Sequence, residues 1–265
     1  MFPTFATIKN IVMNFEMSNL PQRNKKPRTQ GITMVMDKGL SVREAEDLMS
    51  VGEPYIDMIK LGFGTAFVTP NLEAKLAVYK KANMPVYLGG TMFEAFIIRN
   101  QFEDYMRLLD KYKLEFVEVS DGSIDLEHDK KCEYIRKLSE KYNVLSEVGS
   151  KDDKKVLAPY VWIELMTKEI AAGSFKVIAE ARESGTVGIY RDKGEVRGDL
   201  IEEILTKVPQ EKIIWEAPIK SQQVWFIKLL GTNVNLGNIA PNEIIALETL
   251  RIGLRGDTFH HFLKK

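Results

Sequence analysis

From Gly31 onward the chain alternates short, β-rich apolar runs with longer amphipathic stretches. The runs are Ile32–Asp37, Tyr55–Gly62, Pro85–Gly89, Glu115–Ser120, Val144–Gly149, Phe175–Arg182, Lys212–Glu216 and Asn233–Gly237. Between them lie segments with helical periodicity: Val42–Val51, Leu72–Asn83, Phe93–Tyr112, Glu127–Tyr142, Tyr160–Ala172, Asp199–Lys207, Gln222–Leu230 and Asn242–Gly253. Several of these are preceded by helix-start residues, such as Pro70-Asn71, Pro159 and Pro241-Asn242. Strands alternating with helices at about 30-residue spacing define βαβ units and therefore a parallel sheet. An uninterrupted series of eight units predicts an α/β fold, a closed (β/α)8 TIM barrel spanning residues 31–265 as a single domain, with residues 1–30 as an N-terminal extension. The alternative is an open doubly wound sheet. It would place a glycine-rich phosphate fingerprint in its first βα turn, and Asp37-Lys-Gly-Leu-Ser41 is not one.

In a barrel the chemistry sits at the C-terminal ends of the strands. The fifth run shows why this matters here. Leu145, Glu147 and Gly149 share one face of a period-two strand, so a carboxylate ends the run, and Lys151 follows just past it. Inward parity in all eight runs gives final positions Asp37, Lys60, Gly89, Glu118, Glu147, Glu180, Glu216 and Asn235. So many buried like charges require cations to offset them. Lys60, Lys151, Arg182 and Lys220 are available, and clustered carboxylates without soft ligands suit a hard ion such as Mg²⁺. Salt-bridged layers inside the barrel are the plainer explanation for some of them. Glycine-rich turns crowd the same end: Gly62-Phe-Gly64-Thr65, Gly89-Gly90-Thr91, Asp121-Gly122-Ser123 and Glu183-Ser184-Gly185. Such turns let backbone N–H groups approach an anion. Lys220 and Ser221 open the helix after the seventh run, where barrels often hold phosphate, although Ser221 also suits a simple N-cap.

Composition adds mainly exclusions. Lys+Arg and Asp+Glu each number 37 in 265 residues, so no global field selects nucleic acid or an anionic membrane. Pro21–Arg28 is locally basic, which fits either a flap near an anionic ligand or a solvated loop leading into the first strand. A single cysteine, Cys132, suits a reducing cytosol and helix packing. His128, His260 and His261 are too few and too badly spaced for a zinc site. No apolar run approaches the roughly 20 residues of a membrane span. Lys9, Asn10 and Glu16 interrupt any signal-peptide core, so a cytoplasmic protein is expected.

The motifs at the strand ends resemble those of the phosphosulfolactate synthase family. The matching stretches are Asp37-Lys-Gly39, Tyr55-Ile-Asp57, Lys60-Leu-Gly-Phe-Gly-Thr65, Gly89-Gly-Thr91 with Phe93-Glu94, and Val117-Glu-Val-Ser-Asp-Gly-Ser123. They continue with Glu147-Val-Gly149 and Lys151, Arg182-Glu-Ser-Gly185, Glu216-Ala-Pro218, Lys220-Ser-Gln-Gln-Val224, Asn235-Leu236 with Asn238-Ile-Ala240, Leu247–Arg251 and Gly253–Phe259. The resemblance implies a lyase that adds sulfite to phosphoenolpyruvate on the route to coenzyme M, giving (2R)-2-phospho-3-sulfolactate through a Mg²⁺-stabilised enolate. It implies Lys151 as general acid, with Lys60 and Arg182 also catalytic. Metal ligands are expected among Glu118 and Glu147, then Glu180, Asp37 or Glu216. Substrate contacts are expected from Lys60, Arg182, Lys220 and Ser221, with Gly89, Gly90, Ser120 and Asn235 beside them. Two other readings stay open: a different Mg²⁺-dependent barrel lyase acting on a 2-phospho acid, and a non-catalytic barrel that binds a phosphorylated metabolite. The aromatic, charged tail after Asp257 suits either the underside of the barrel or a second copy of the chain.

Overall fold

The computed structural model describes residues 14–149, 157–181 and 184–263. Its eight strands are β1 Thr33–Asp37, β2 Met58–Leu61, β3 Val86–Leu88, β4 Phe116–Val119, β5 Asn143–Val148, β6 Lys176–Ala179, β7 Ile213–Glu216 and β8 Leu236–Ile239. All the ladders are parallel and run in the order β3-β2-β1-β8-β7-β6-β5-β4. Because β3 also lies beside β4, the sheet curls into a nearly closed (β/α)8 barrel, as the alternation predicts. The helices are α1 Val42–Gly52, α2 Thr65–Val68, α3 Leu72–Lys81, α4 Gly90–Ile97, α5 Phe102–Tyr112, α6 His128–Ser139, α7 Pro159–Ala171, α8 Gly198–Leu205, α9 Lys220–Leu230 and α10 Ile244–Arg251.

Local chemistry sets the boundaries. Ser41 and Glu44 form a reciprocal capping box that starts α1. The single helix expected over Phe93–Tyr112 is two, because the chain between α4 and α5 passes through Asn100 in the left-handed region, at φ +56. The second strand is shorter than its apolar run, since Glu53-Pro-Tyr55 forms a 3-10 turn. The eighth begins late. Asn235 precedes it, and its side chain accepts from Ile32 N at 3.0 Å and donates to Ile213 O at 2.9 Å, tying together the bases of β1 and β7.

Two apolar layers follow from the period-two alternation of the strands. Ile32, Met34, Met58, Tyr87, Leu145, Ile178 and Ile214 fill the barrel interior. Val35, Ile59, Val117, Val144 and Val177 face outward against the helices. Each such side chain, fully buried, contributes roughly 1.5–3 kcal/mol. Ion pairs close the underside. Arg251 donates to Thr232 O, Val234 O and Ile32 O. Arg23 pairs with Glu248 at 3.0 Å, Lys26 with Glu53 at 3.3 Å and Arg28 with Asp57 at 2.9 Å, and Asp57 also accepts from Thr33 N. These three bases therefore staple the N-terminal end of the barrel, opposite the rim, rather than forming a flap over a ligand. Among the described residues no helix is long and apolar enough to cross a membrane.

Candidate active site

Above the apolar filling the inward side chains become charged, because one more step of strand alternation brings Lys60 on β2, Glu118 on β4, Glu147 on β5 and Glu216 on β7 over the interior. Glu180 joins them directly after β6, where its N–H bonds Val148 O at 2.9 Å. These residues line one cavity of about 400 Å³ at the C-terminal rim, large enough for a small metabolite.

Lys60 is the hub. Its Nζ lies 3.0 Å from Glu118 Oε1, 3.4 Å from Glu216 Oε1 and 3.6 Å from Glu147 Oε2, and it is almost wholly buried. Burial alone would push the ammonium pKa down, but attraction by Glu118, Glu216 and Glu147 outweighs it and holds the pKa well above the usual lysine value. The carboxylates respond in the opposite sense. Burial raises Glu118, and it pushes Glu216 up to about 7 against the pull of Lys60. Backbone donors orient both groups. Gly90 N donates to Glu118 Oε1 at 2.6 Å, and Ala181 N donates to Glu216 Oε2 at 2.8 Å.

The Gly90–Glu118 bond also spans β3 and β4, the one neighbouring pair without a described ladder. A Cβ at Gly90 would lie 2.1 Å from Ser120 Oγ and 2.9 Å from Glu118 Oε1, so only glycine lets the two edges close. Gly149 has a similar role at the end of β5. Its φ is +139, and a Cβ there would sit 2.5 Å from Glu180 Cβ.

A buried polar frame lies behind the rim. Lys131 on α6 donates to Glu147 O at 2.6 Å and pairs with Glu169 at 2.8 Å and Asp121 at 2.9 Å. Burial opposes its charge, yet Glu169 and Asp121 hold its pKa above the ordinary value. Glu94 on α4 accepts from Ser120 Oγ and from Ser123 N at 3.0 Å, fixing the loop after β4. Gln222 on α9 donates to Gly185 O at 2.8 Å and Gly194 O at 3.2 Å, fixing the loop after β6. Cys132 is buried in α6 beside His128, and burial raises its thiol pKa, so it packs.

The structure brings together Lys60, Glu118, Glu147, Glu180 and Glu216, with Gly89 and Gly90 at the same rim. Five expected positions lie elsewhere. Asp37 has the opposite parity, since Met34 faces the interior. Its carboxylate is buried against α3, pairing with Lys75 at 2.9 Å and accepting from Tyr79 Oη at 3.0 Å and from Gly39 N and Leu40 N. Asn235 ties the base of the barrel instead of its rim. Lys220 pairs with Asp257 at 3.1 Å, and neither it nor the exposed Ser221 lines the cavity. Ser120 is fully buried and spends its hydroxyl on Glu94 rather than lining the cavity. Lys151 and Arg182 lie outside the described residues. Asn238 was not expected. At φ +55 it lines the cavity from the end of β8, and its buried Oδ1 has no hydrogen-bond partner among the described residues. Its signal in the sequence is the polar residue three places after Asn235.

Glu147, Glu180 and Glu216 each offer a carboxylate oxygen, all within 4.8 Å of one another and all buried. Three hard oxygen donors, offset by a single lining lysine among the described residues, fit a divalent cation of the Mg²⁺ type. Glu118 stands outside that trio, committed to Gly90 and Lys60.

Fold and site together define a (β/α)8 barrel with a buried, carboxylate-rich pocket at its C-terminal rim. Among solved structures, 3-hexulose-6-phosphate synthase from Salmonella typhimurium aligns with a TM-score of 0.56 at 16% identity, over 84% of this chain and all of that one, which is a likeness of fold. The family model for (2R)-phospho-3-sulfolactate synthase matches residues 21–257, beginning inside the basic segment. A phosphosulfolactate synthase of Methanothermobacter thermautotrophicus is 43% identical over 90% of this chain and 95% of its own length. One of Bacillus subtilis is 38% identical over 93% and 99%. The chain belongs to the phosphosulfolactate synthase family.

Proposed function

We propose that this protein is a Mg²⁺-dependent carbon–sulfur lyase that adds sulfite to phosphoenolpyruvate to give (2R)-2-phospho-3-sulfolactate. The observation that carries the reading is the buried Glu147–Glu180–Glu216 trio beside Lys60 in a chain of this family. Both reactants are anions, and a pocket of four carboxylates repels them unless positive charge is added. A bound Mg²⁺ would supply that charge and stabilise the negative charge that develops on the substrate carboxylate. Glu147, Glu180 and Glu216 would hold it.

The chain's own residues do the rest. Lys60, kept cationic by its neighbours, attracts an acid group to the floor of the pocket. Thr91 at the start of α4 and Asn238 offer neutral polar contacts at the wall. Arg182 suits bidentate contact with a tetrahedral oxyanion. Lys151, next to the end of β5 in sequence, is the proton donor to the carbon adjacent to the new C–S bond. As written, the carbon–sulfur bond forms at the methylene carbon, the double bond's electron pair moves toward the carboxylate, and the proton returns it to carbon.

The test is consumption of phosphoenolpyruvate, followed by loss of its enol absorbance, with sulfite and Mg²⁺ each added or withheld. Loss that requires both, with a product of the mass of phosphosulfolactate, is the expected result. Loss without sulfite, or no loss with all components present, overturns the assignment.

A further inference from the structure

The turn after β2 places an aromatic residue where backbone geometry disfavours one. Thr65 N donates to Gly62 O at 3.0 Å, closing a four-residue turn whose central residues, Phe63 and Gly64, have φ of +53 and +67. Two positive φ values mark a type I′ turn, whose first central position favours Asn, Asp or Gly because a larger Cβ substituent is strained there. Phe63 is nonetheless phenylalanine, and the residue remains 49% exposed, so burial does not offset the strain. The turn is also held from both sides. Gly62 N bonds Asp37 O at 3.0 Å, and Thr65 Oγ1 bonds Gly62 O at 2.8 Å. Asp37 is itself locked by Lys75 and Tyr79. Strain maintained by a rigid surround, at a cavity wall, points toward ligand use.

The position of the ring says what use. Phe63 lines the cavity from the β2 side, and Met36 of the neighbouring β1 lines it as well. Glu147, Glu180 and Glu216 line it from β5 to β7, across the barrel. The pocket therefore carries apolar lining on its β1–β2 side and carboxylates on its β5–β7 side, and Lys60 reaches from β2 to Glu147 and Glu216. We propose that Phe63 is a substrate-contacting specificity residue: its ring covers the uncharged carbon face of a small planar phosphorylated acid whose charged groups are held by Lys60 and the carboxylate side. A flat unsaturated skeleton presents a π-face to the ring, and the ring keeps bulk water from that face. This rests on the preceding reading for the class of substrate.

The test sets stability against binding. Phe63→Asn supplies a residue the turn favours and removes the ring. It is expected to raise the melting temperature while raising KM for phosphoenolpyruvate at least about tenfold, the scale of a lost apolar contact in a pocket. Phe63→Trp keeps a ring, so KM stays near the parent value, and its indole emission changes saturably when phosphoenolpyruvate is added with Mg²⁺ and without sulfite. Phe67, 86% exposed in the adjoining α2 and outside the cavity lining, is the control, and Phe67→Asn leaves KM unchanged. A Phe63→Asn protein with unchanged KM or a lowered melting temperature overturns the inference, as does a Phe67→Asn protein whose KM rises equally. The two readings fail separately. Parent turnover with an unaffected Phe63→Asn KM sinks the ring alone. Absence of parent turnover, with a saturable Phe63→Trp response to phosphoenolpyruvate, sinks the reaction alone.

Discussion

Lys60 shows how much of the site hangs on one atom. Its ammonium touches carboxylates from β4, β5 and β7, none of which it meets in sequence. Lys60 and its three partners are all buried, with Tyr87 of β3 beside Lys60 in register, so little water screens the cluster and removing the cation strands buried negative charge. Lys60→Met is expected to cost about 3–5 kcal/mol in urea denaturation without added metal. Millimolar Mg²⁺ should recover part of that loss. An unchanged urea midpoint would show that the carboxylates do not depend on this lysine. Lys151 belongs to the same scale but to a different experiment. As the proposed proton donor, its replacement in Lys151→Ala should cut turnover at least about a hundredfold. The thermal midpoint and phosphoenolpyruvate affinity should stay near the parent values, and normal turnover would remove Lys151 from the mechanism.

At the level of elements, the barrel closes at β3 and β4 through a glycine N–H and a glutamate carboxylate. The same carboxylate faces Lys60, so closure of the sheet and placement of the charge are one event. Gly90→Ala would drive a methyl group into Ser120 and Glu118. The expected cost is about 1–3 kcal/mol, as for other overpacked sites, together with a loss of activity larger than the loss of fold. Denaturation curves and turnover measured on the same preparation check this, and full activity in the variant would mean that the seam adjusts freely. The loops are held in a comparable way. Gln222 clips the β6 loop to α9, Glu94 clips the β4 loop to α4, and Lys131 anchors the end of β5 to α6.

For the molecule as a whole, the raised carboxyl pKa values give stability a sign. The folded protein holds a proton on Glu216 up to about pH 7, whereas the unfolded chain releases it near the ordinary carboxyl value of 4.5. Folding therefore binds protons between these values, and the metal-free protein should lose stability as pH rises from 5 to 8. For this group the change is on the order of 1–3 kcal/mol, and burial of Glu118 adds in the same direction. Protons and a divalent cation compete for the same oxygens, so stabilisation by Mg²⁺ should be larger at pH 8 than at pH 6. Melting curves with and without Mg²⁺ at both pH values check this. Equal shifts at the two pH values would place the metal elsewhere.

The alternation of apolar runs and amphipathic stretches already contained the barrel, because strand and helix periods are local properties and eight repeats leave few topologies open. It also contained the identities of Lys60, Glu118, Glu147, Glu180 and Glu216, since inward parity at a strand end can be read along a single strand. Parity was legible only where the register was. On β1 the inward parity falls on Met34, so Asp37 points out of the barrel, where Lys75 and Tyr79, far along the chain, hold it. On β8 Asn235 sits before the strand, which put Asn238 and not Asn235 at the rim. Which acids pair with a lysine and which group with one another depends on distances across the barrel, and side chains brought together by folding from separate strands leave no mark in local sequence. The ion pairs that take Lys220 and the N-terminal bases out of play are of the same kind, for each partner lies many residues away.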